Sequence, residues 1–126
     1  MNDEIVLTLP QEREFFNVAH LVVGGLAVRL NLTFENLEDL QVALEGLLPR
    51  AQGEVTVGLR LAEGALVLNV GPFACDPLRA ELATDSQERV GLRRVLDTVA
   101  DGVEVIEGDA GCWVRLTKRV EALETT

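Results

Sequence analysis

A few places in this chain hold side chains able to do chemistry. The stretch 37–51 carries Glu38, Asp39 and Glu45, and a carboxylate is the group that accepts a proton or offers oxygen to a hard cation. The same stretch holds Gly46, which cannot accept a proton, and Arg50, whose guanidinium has no lone pair for a cation. Further on, Asn69-Val70-Gly71-Pro72-Phe73 pairs an amide oxygen that can accept a hydrogen bond with a glycine that lets backbone pass close to a ligand. Gly91 stands at the start of a helical pattern with Arg89, Arg93 and Arg94 around it. That positive charge either pairs with the chain's carboxylates or receives an anion at the helix start. Cys75 and Cys112 are the only cysteines. Their spacing matches no metal site, and they read as two free thiols of a reducing compartment. His20 has no second ligand or nucleophile near it in sequence and reads as a structural, half-exposed side chain.

The elements that must position these residues follow from hydrophobic period. Ile5, Leu7 and Leu9 alternate up to Pro10, which predicts a short first strand at a sheet edge. Phe15, Ala19, Val22, Leu26 and Leu30 then recur at helical steps, so a helix is expected from Gln11 to about Leu30. Glu12 and Glu14 complement the positive end of its dipole, and Gly24-Gly25 reads as a place of close approach to another element. Asn31 or Thr33 caps a second helix, in which Leu37, Leu40, Ala43, Leu44, Leu47 and Leu48 face a core while Glu38, Gln41 and Glu45 face water. Pro49 should kink or end it, with Gln52-Gly53 as its terminus. Val55 to Leu61 and Leu66 to Val70 alternate on either side of Glu63-Gly64 and predict a hairpin.

No period persists from Pro72 to Glu88, where Leu78 and Leu82 can seat a short helical turn. Leu92, Val95, Leu96 and Val99 predict a third helix, opening near Gln87 and closing at Asp101-Gly102. Val103 to Ile106 and Cys112 to Leu116 close the chain as a hairpin across Gly108-Gly111. Trp113 alternates onto the face opposite Cys112, Val114 and Leu116, where it either covers a sheet edge, the reading preferred, or forms part of a partner surface. The tail after Val120 is polar and should fray.

At 126 residues the chain is expected to form one domain, 1–126, with a core of its own. Its 21 acidic and 11 basic residues give a formal net charge of −10. That field repels phosphate backbones and anionic lipid alike and favours a partner with a basic face. Asp3, Glu4 and Pro10 interrupt any amino-terminal signal pattern. The longest apolar run, Leu21 to Val28, falls far short of the ~20 residues of a membrane span. A cytoplasmic protein, with no nucleic acid and no membrane among its partners, is expected.

The order of elements from Ile5 to about Lys118, with the residues of the second helix, resembles the bacterial anti-sigma-factor serine kinases. These belong to the GHKL superfamily of histidine kinase-like ATPases. In that family the helix reads roughly Glu-Asp-Leu-x-Leu-Ala-Val-x-Glu-Ala-x-x-Asn-Ala; its glutamate is the general base and its asparagine a Mg²⁺ ligand. Glu38, Asp39, Leu40, Ala43 and Ala51 fall on this frame. Gly46 stands in place of the glutamate and Arg50 in place of the asparagine. Glu45 is about 100° around the helix from the base position and does not replace it. Asn69-Val70-Gly71-Pro72-Phe73 occupies the place of the family's Asp-x-Gly-x-Gly, with Asn69 for the adenine-binding aspartate and Phe73 at or beside the second glycine. Gly91-Leu92 matches the end of the glycine-rich second box, and the aperiodic stretch before it matches a lid. Gly111-Cys112-Trp113-Val114-Arg115-Leu116 is similar to the closing strand, with Cys112 for threonine.

The resemblance implies an α+β, two-layer sandwich with helices on one face of a mostly antiparallel sheet, the Bergerat fold. It implies a vestigial nucleotide pocket at Asn69, Gly71 and Gly91, with no catalytic residue left at Gly46 or Arg50 and no metal ligand. The function it implies is that of an anti-sigma factor acting by protein–protein binding in a partner-switching pathway, on a sigma factor, an anti-sigma-factor antagonist or both, with kinase chemistry lost. A homodimer is suggested by the family alone. The alternative is an active serine kinase that phosphorylates the antagonist and uses ATP and Mg²⁺ in a working pocket; a third reading is a structural module of a larger signalling assembly.

Overall fold

A computed structural model describes residues 4–10, 12–29, 32–51, 53–83 and 91–119. The expected β1 (Glu4–Pro10) is followed by α1 (Arg13–Arg29), α2 (Phe34–Leu47), β2 (Glu54–Ala62), β3 (Ala65–Phe73), α3 (Cys75–Ala83), α4 (Leu92–Val99), β4 (Gly102–Gly108) and β5 (Gly111–Arg119). The strands form one sheet in the order β1-β2-β3-β5-β4, and every neighbouring pair is antiparallel. Alternation explains the two faces. Val55, Val57 and Leu59 of β2, Leu66, Leu68 and Val70 of β3, and Cys112, Val114 and Leu116 of β5 join the buried core with residues of all four helices. The intervening residues form the other face. The architecture is therefore α+β, two layers, with helices on one face.

Period and caps account for the local structure. Thr33 caps α2, its side-chain oxygen accepting from the Asn36 N–H at 3.1 Å, and α2 buries Leu40, Ala43, Leu44 and Leu47 against the sheet. Leu44, Leu47 and Leu48 are each 0% exposed, and burying one such side chain contributes roughly 1.5–3 kcal/mol. The helix ends where Pro49 requires it, in a 3₁₀ turn at Leu48–Arg50, because proline has no N–H to continue the ladder. At the β2–β3 turn Glu63 and Gly64 have φ of 50° and 79°. Positive φ at both central residues is the tight hairpin turn whose twist suits its strands.

Three expectations meet a different outcome, and one feature of β3 was not anticipated. The stretch after Pro72 contains a nine-residue helix, α3, where only a short turn was legible, because Leu78 and Leu82 are one helical turn apart and both are buried. Gly24 and Gly25 bring no other element close, since a Cβ on either would meet nothing within 4 Å. Cys75 and Cys112 are not free thiols: they form a disulfide, with Cα atoms 5.1 Å apart. The alternation of β3 breaks after Val70, where a register shift against β5 turns Phe73 inward, 3% exposed. The predicted opening of the third helix near Gln87, together with Asn31, Gln52, Arg89 and the tail after Val120, lies outside the described residues. Among the described residues no helix is long and apolar enough to cross a membrane.

Candidate functional site

The carboxyl end of α2 is where the sequence places its altered chemistry, and the structure gives each altered residue a structural partner. A Cβ built on Gly46 would stand 3.3 Å from the Leu92 side chain at the first turn of α4, so a side chain there would press on Leu92 and the glycine spares that contact. One turn further, Arg50 donates from its guanidinium to the carbonyl oxygen of Gly46 and forms an ion pair with Glu81 of α3. It thereby caps the negative end of α2 and holds α3 against it. Arg50, Phe73, Ala74, Pro77, Leu78 and Glu81 line a cleft of about 240 Å³, smaller than the ~300–1,000 Å³ of a typical ligand pocket.

The other candidates fall in two places. Gly91 is the N-cap residue of α4 and precedes Leu92, so it lies at the same end as Gly46. Asn69 and Gly71 do not. They alternate with Leu68 and Val70 and therefore lie on the face of the sheet away from the helices. There the Asn69 side-chain oxygen accepts from the Arg115 guanidinium at 3.0 Å, and Gly71 lies under Trp113, whose ring atoms would come within 2.7 Å of a Cβ at that position. A ligand held between sheet and helices is out of reach of either residue. Trp113 lies over Gly71 on the face its alternation predicted, but on an interior strand rather than at a sheet edge. Phe73, placed by resemblance at the second glycine, is a wall of the cleft.

Some of the charged groups singled out in the sequence form ion pairs. Arg93 pairs with Asp97 one turn along α4 at 3.1 Å, and Asp39 binds Lys118 of β5 at 2.7 Å, tying the amino half of α2 to the sheet. Glu38 and Glu45 face solvent and His20 is half-buried. Among the described residues no three His, Cys, Asp or Glu side chains gather as a metal-binding group. The α2 end does not fit Mg²⁺, because its polar group is a guanidinium already bound to a carboxylate and a carbonyl, and a cation of that kind needs oxygen ligands. Sequence reasoning missed the Arg50–Glu81 pair, the Gly46–Leu92 contact and the disulfide; all three are long-range contacts that no local pattern announces.

No family model matches the chain. It is 26% identical to the serine-protein kinase RsbW of Listeria monocytogenes serovar 1/2a, over 95% of this chain and 89% of the relative. It is 27% identical to RsbW of Bacillus velezensis, over 92% and 85%. The match to RsbW of Listeria innocua, 29% identical, spans 56% of this chain and 50% of the relative. Among solved structures, that of the RsbU and RsbW domains of Rv1364c from Mycobacterium tuberculosis superposes with a TM-score of 0.68 at 13% identity. It covers 94% of this chain, which spans 32% of that longer one. The likeness shows a shared fold.

Proposed function

We propose that this chain, an RsbW-like member of the GHKL superfamily, is a one-domain regulatory protein of the anti-sigma type that works by binding other proteins and no longer transfers phosphate. The observation that carries the reading is the state of the α2 end. Where a kinase of this kind needs a base and a metal ligand, Gly46 packs on Leu92 and Arg50 is bound to Glu81 and to the Gly46 carbonyl. Phosphoryl transfer depends on positioned metal and charge, and neither group supplies them. The partners in this reading are a sigma factor, its antagonist or both, met in the cytoplasm. A net charge of −10 favours partner surfaces that are basic.

The outer side of α1 supports a protein contact. Phe15 to Val28 contains no Asp, Glu, Lys or Arg, and Val18, Leu21 and Val28 are 40%, 76% and 78% exposed. A helix that is apolar nearly all round normally buries more than one face. Two measurements test the proposal. Titration calorimetry with ATP, with and without Mg²⁺, is expected to give no heat of binding up to millimolar nucleotide; micromolar, Mg²⁺-dependent binding would move the active-kinase reading ahead. Leu21→Glu is expected to abolish capture of the cognate sigma factor or antagonist while leaving the circular dichroism spectrum unchanged, and undiminished capture would remove α1 from the interface.

A further inference from the structure

Helix α3 depends on its attachments more than any other element here. It has nine residues, of which only Leu78 and Leu82 are buried, and an isolated helix of that length is marginal in water. At its first residue the disulfide joins Cys75 to Cys112 in β5. Near its other end Glu81 pairs with Arg50 and in its middle Arg79 pairs with Glu107 of β4, with all four side chains more than a third exposed, so both contacts are weak. Between the disulfide and Glu81 lies the cleft walled by Phe73, Ala74, Pro77 and Leu78. The covalent tie therefore decides whether α3 stays against the end of α2.

We propose that the Cys75–Cys112 disulfide is a redox latch: oxidised, it clamps α3 over the end of α2; reduced, it lets α3 leave and uncovers Phe73 and Leu78. The two sulfurs are unequal in the way such a latch requires. Cys112 is 0% exposed and sits within β5 opposite Phe73 on one side and Glu107 on the other, whereas Cys75 is half-buried at the start of a short helix. Exchange starts at the accessible sulfur. A thiolate of a small dithiol attacks Cys75 Sγ, the Cys112 sulfur leaves as thiolate and takes up a proton, and the second thiol of the reductant displaces Cys75. Two electrons and two protons pass to the protein, and the reductant departs as a cyclic disulfide. In the reverse direction the Cys75 thiolate attacks a low-molecular-weight disulfide and expels one thiolate. The Cys112 thiolate then attacks Cys75 Sγ and expels the second. After reduction Cys112 stays in the sheet and the Cys75 end moves. A disulfide in a reducing compartment is usually transient and redox-sensing, which agrees with a latch and needs no assumption about the protein partner.

The test compares the full chain equilibrated with oxidised glutathione and with dithiothreitol. Thiol alkylation is expected to find no free thiol in the first state and two in the second, with Cys75 modified faster than Cys112. Hydrogen exchange over residues 75–83 should be roughly tenfold or more faster in the reduced state, over and above any change in β3 and β5, as for a local opening. Cys75→Ser should show the fast exchange in both conditions, and because position 75 is only half-buried this variant retains the core. Two alkylatable thiols after glutathione treatment would overturn the bond itself. Equal exchange at 75–83 in both states would overturn the latch and leave a static staple.

Discussion

The two ends of α2 stand differently against the family frame they resemble. At the amino end the residues on the frame are kept and their contacts are those of a scaffold: Thr33 caps the helix, Leu40 enters the core, and Asp39 holds Lys118 of the central sheet. At the carboxyl end both chemical positions differ from the frame, yet the end is as well tied as the other. Gly46 receives Leu92, and Arg50 joins α2 to α3. The difference teaches that the two positions at the carboxyl end serve packing and ion pairing here, Gly46 beside Leu92 and Arg50 on Glu81. A glutamate at 46 and an asparagine at 50 would enter a site built of those contacts.

The strongest way to sharpen this comparison is to cut the covalent tie at the carboxyl end. The disulfide joins residues 37 apart in sequence, and constraining a loop of that size stabilises by about 4 kcal/mol in the chain-entropy model. Cys75→Ser is expected to lower the urea midpoint accordingly, measured against the oxidised parent, and the parent in dithiothreitol should match the variant. A loss well under 1 kcal/mol would mean that the carboxyl end stands without it.

Next in size is Gly46→Glu, which places a full side chain where a Cβ alone stands 3.3 Å from Leu92. Overpacking of this kind costs typically 1–3 kcal/mol, and Gly46→Ala should cost less, because alanine regains helix propensity of about 1 kcal/mol. Gly46→Glu with Arg50→Asn is expected to show no phosphorylation of an antagonist, since Pro49 and Phe73 also depart from the family pattern. Incorporation of labelled phosphate would show that a kinase site can form within this packing. At the kept end, Thr33→Ala removes the bond to the Asn36 amide and should cost about 1 kcal/mol, read as a shift in thermal midpoint.

These contrasts also mark what was legible in the sequence. The β2–β3 hairpin, the Thr33 cap and the stop at Pro49 are local, each specified by residues a few positions apart, and all were readable. The face of Asn69 was readable too: its alternation with Leu68 and Val70 already put it opposite the core, although motif position assigned it to the nucleotide pocket. Phe73 escaped because a register shift breaks the alternation after Val70. Helix α3 escaped because two leucines make too short a stripe to establish a period. The Arg50–Glu81 and Cys75–Cys112 contacts join residues 31 and 37 apart in the chain, and the Leu92–Gly46 contact is as distant; nothing in a one-dimensional pattern selects such partners.

The smallest expected effect belongs to the Arg50–Glu81 pair, and it separates two accounts of why Arg50 is there. If the arginine contributes mainly through its ion pair, a double-mutant cycle with Arg50→Ala and Glu81→Ala should give a coupling that fades with salt. Both side chains are more than a third exposed, so water and ions screen the pair and the coupling should be about 0.5 kcal/mol or less. If the arginine contributes mainly by capping α2 through the Gly46 carbonyl, Arg50→Ala should cost more than Glu81→Ala, and the excess should persist when Glu81 is already gone. The capping bond stays within α2, whereas the ion pair is long-range. We expect the single Arg50→Ala loss to exceed the coupling, because the guanidinium serves both contacts and only one of them disappears with Glu81. A coupling as large as the whole Arg50→Ala loss would instead make α3 docking the sole role of Arg50, and the carboxyl end of α2 would then be held by its neighbour rather than by its own cap.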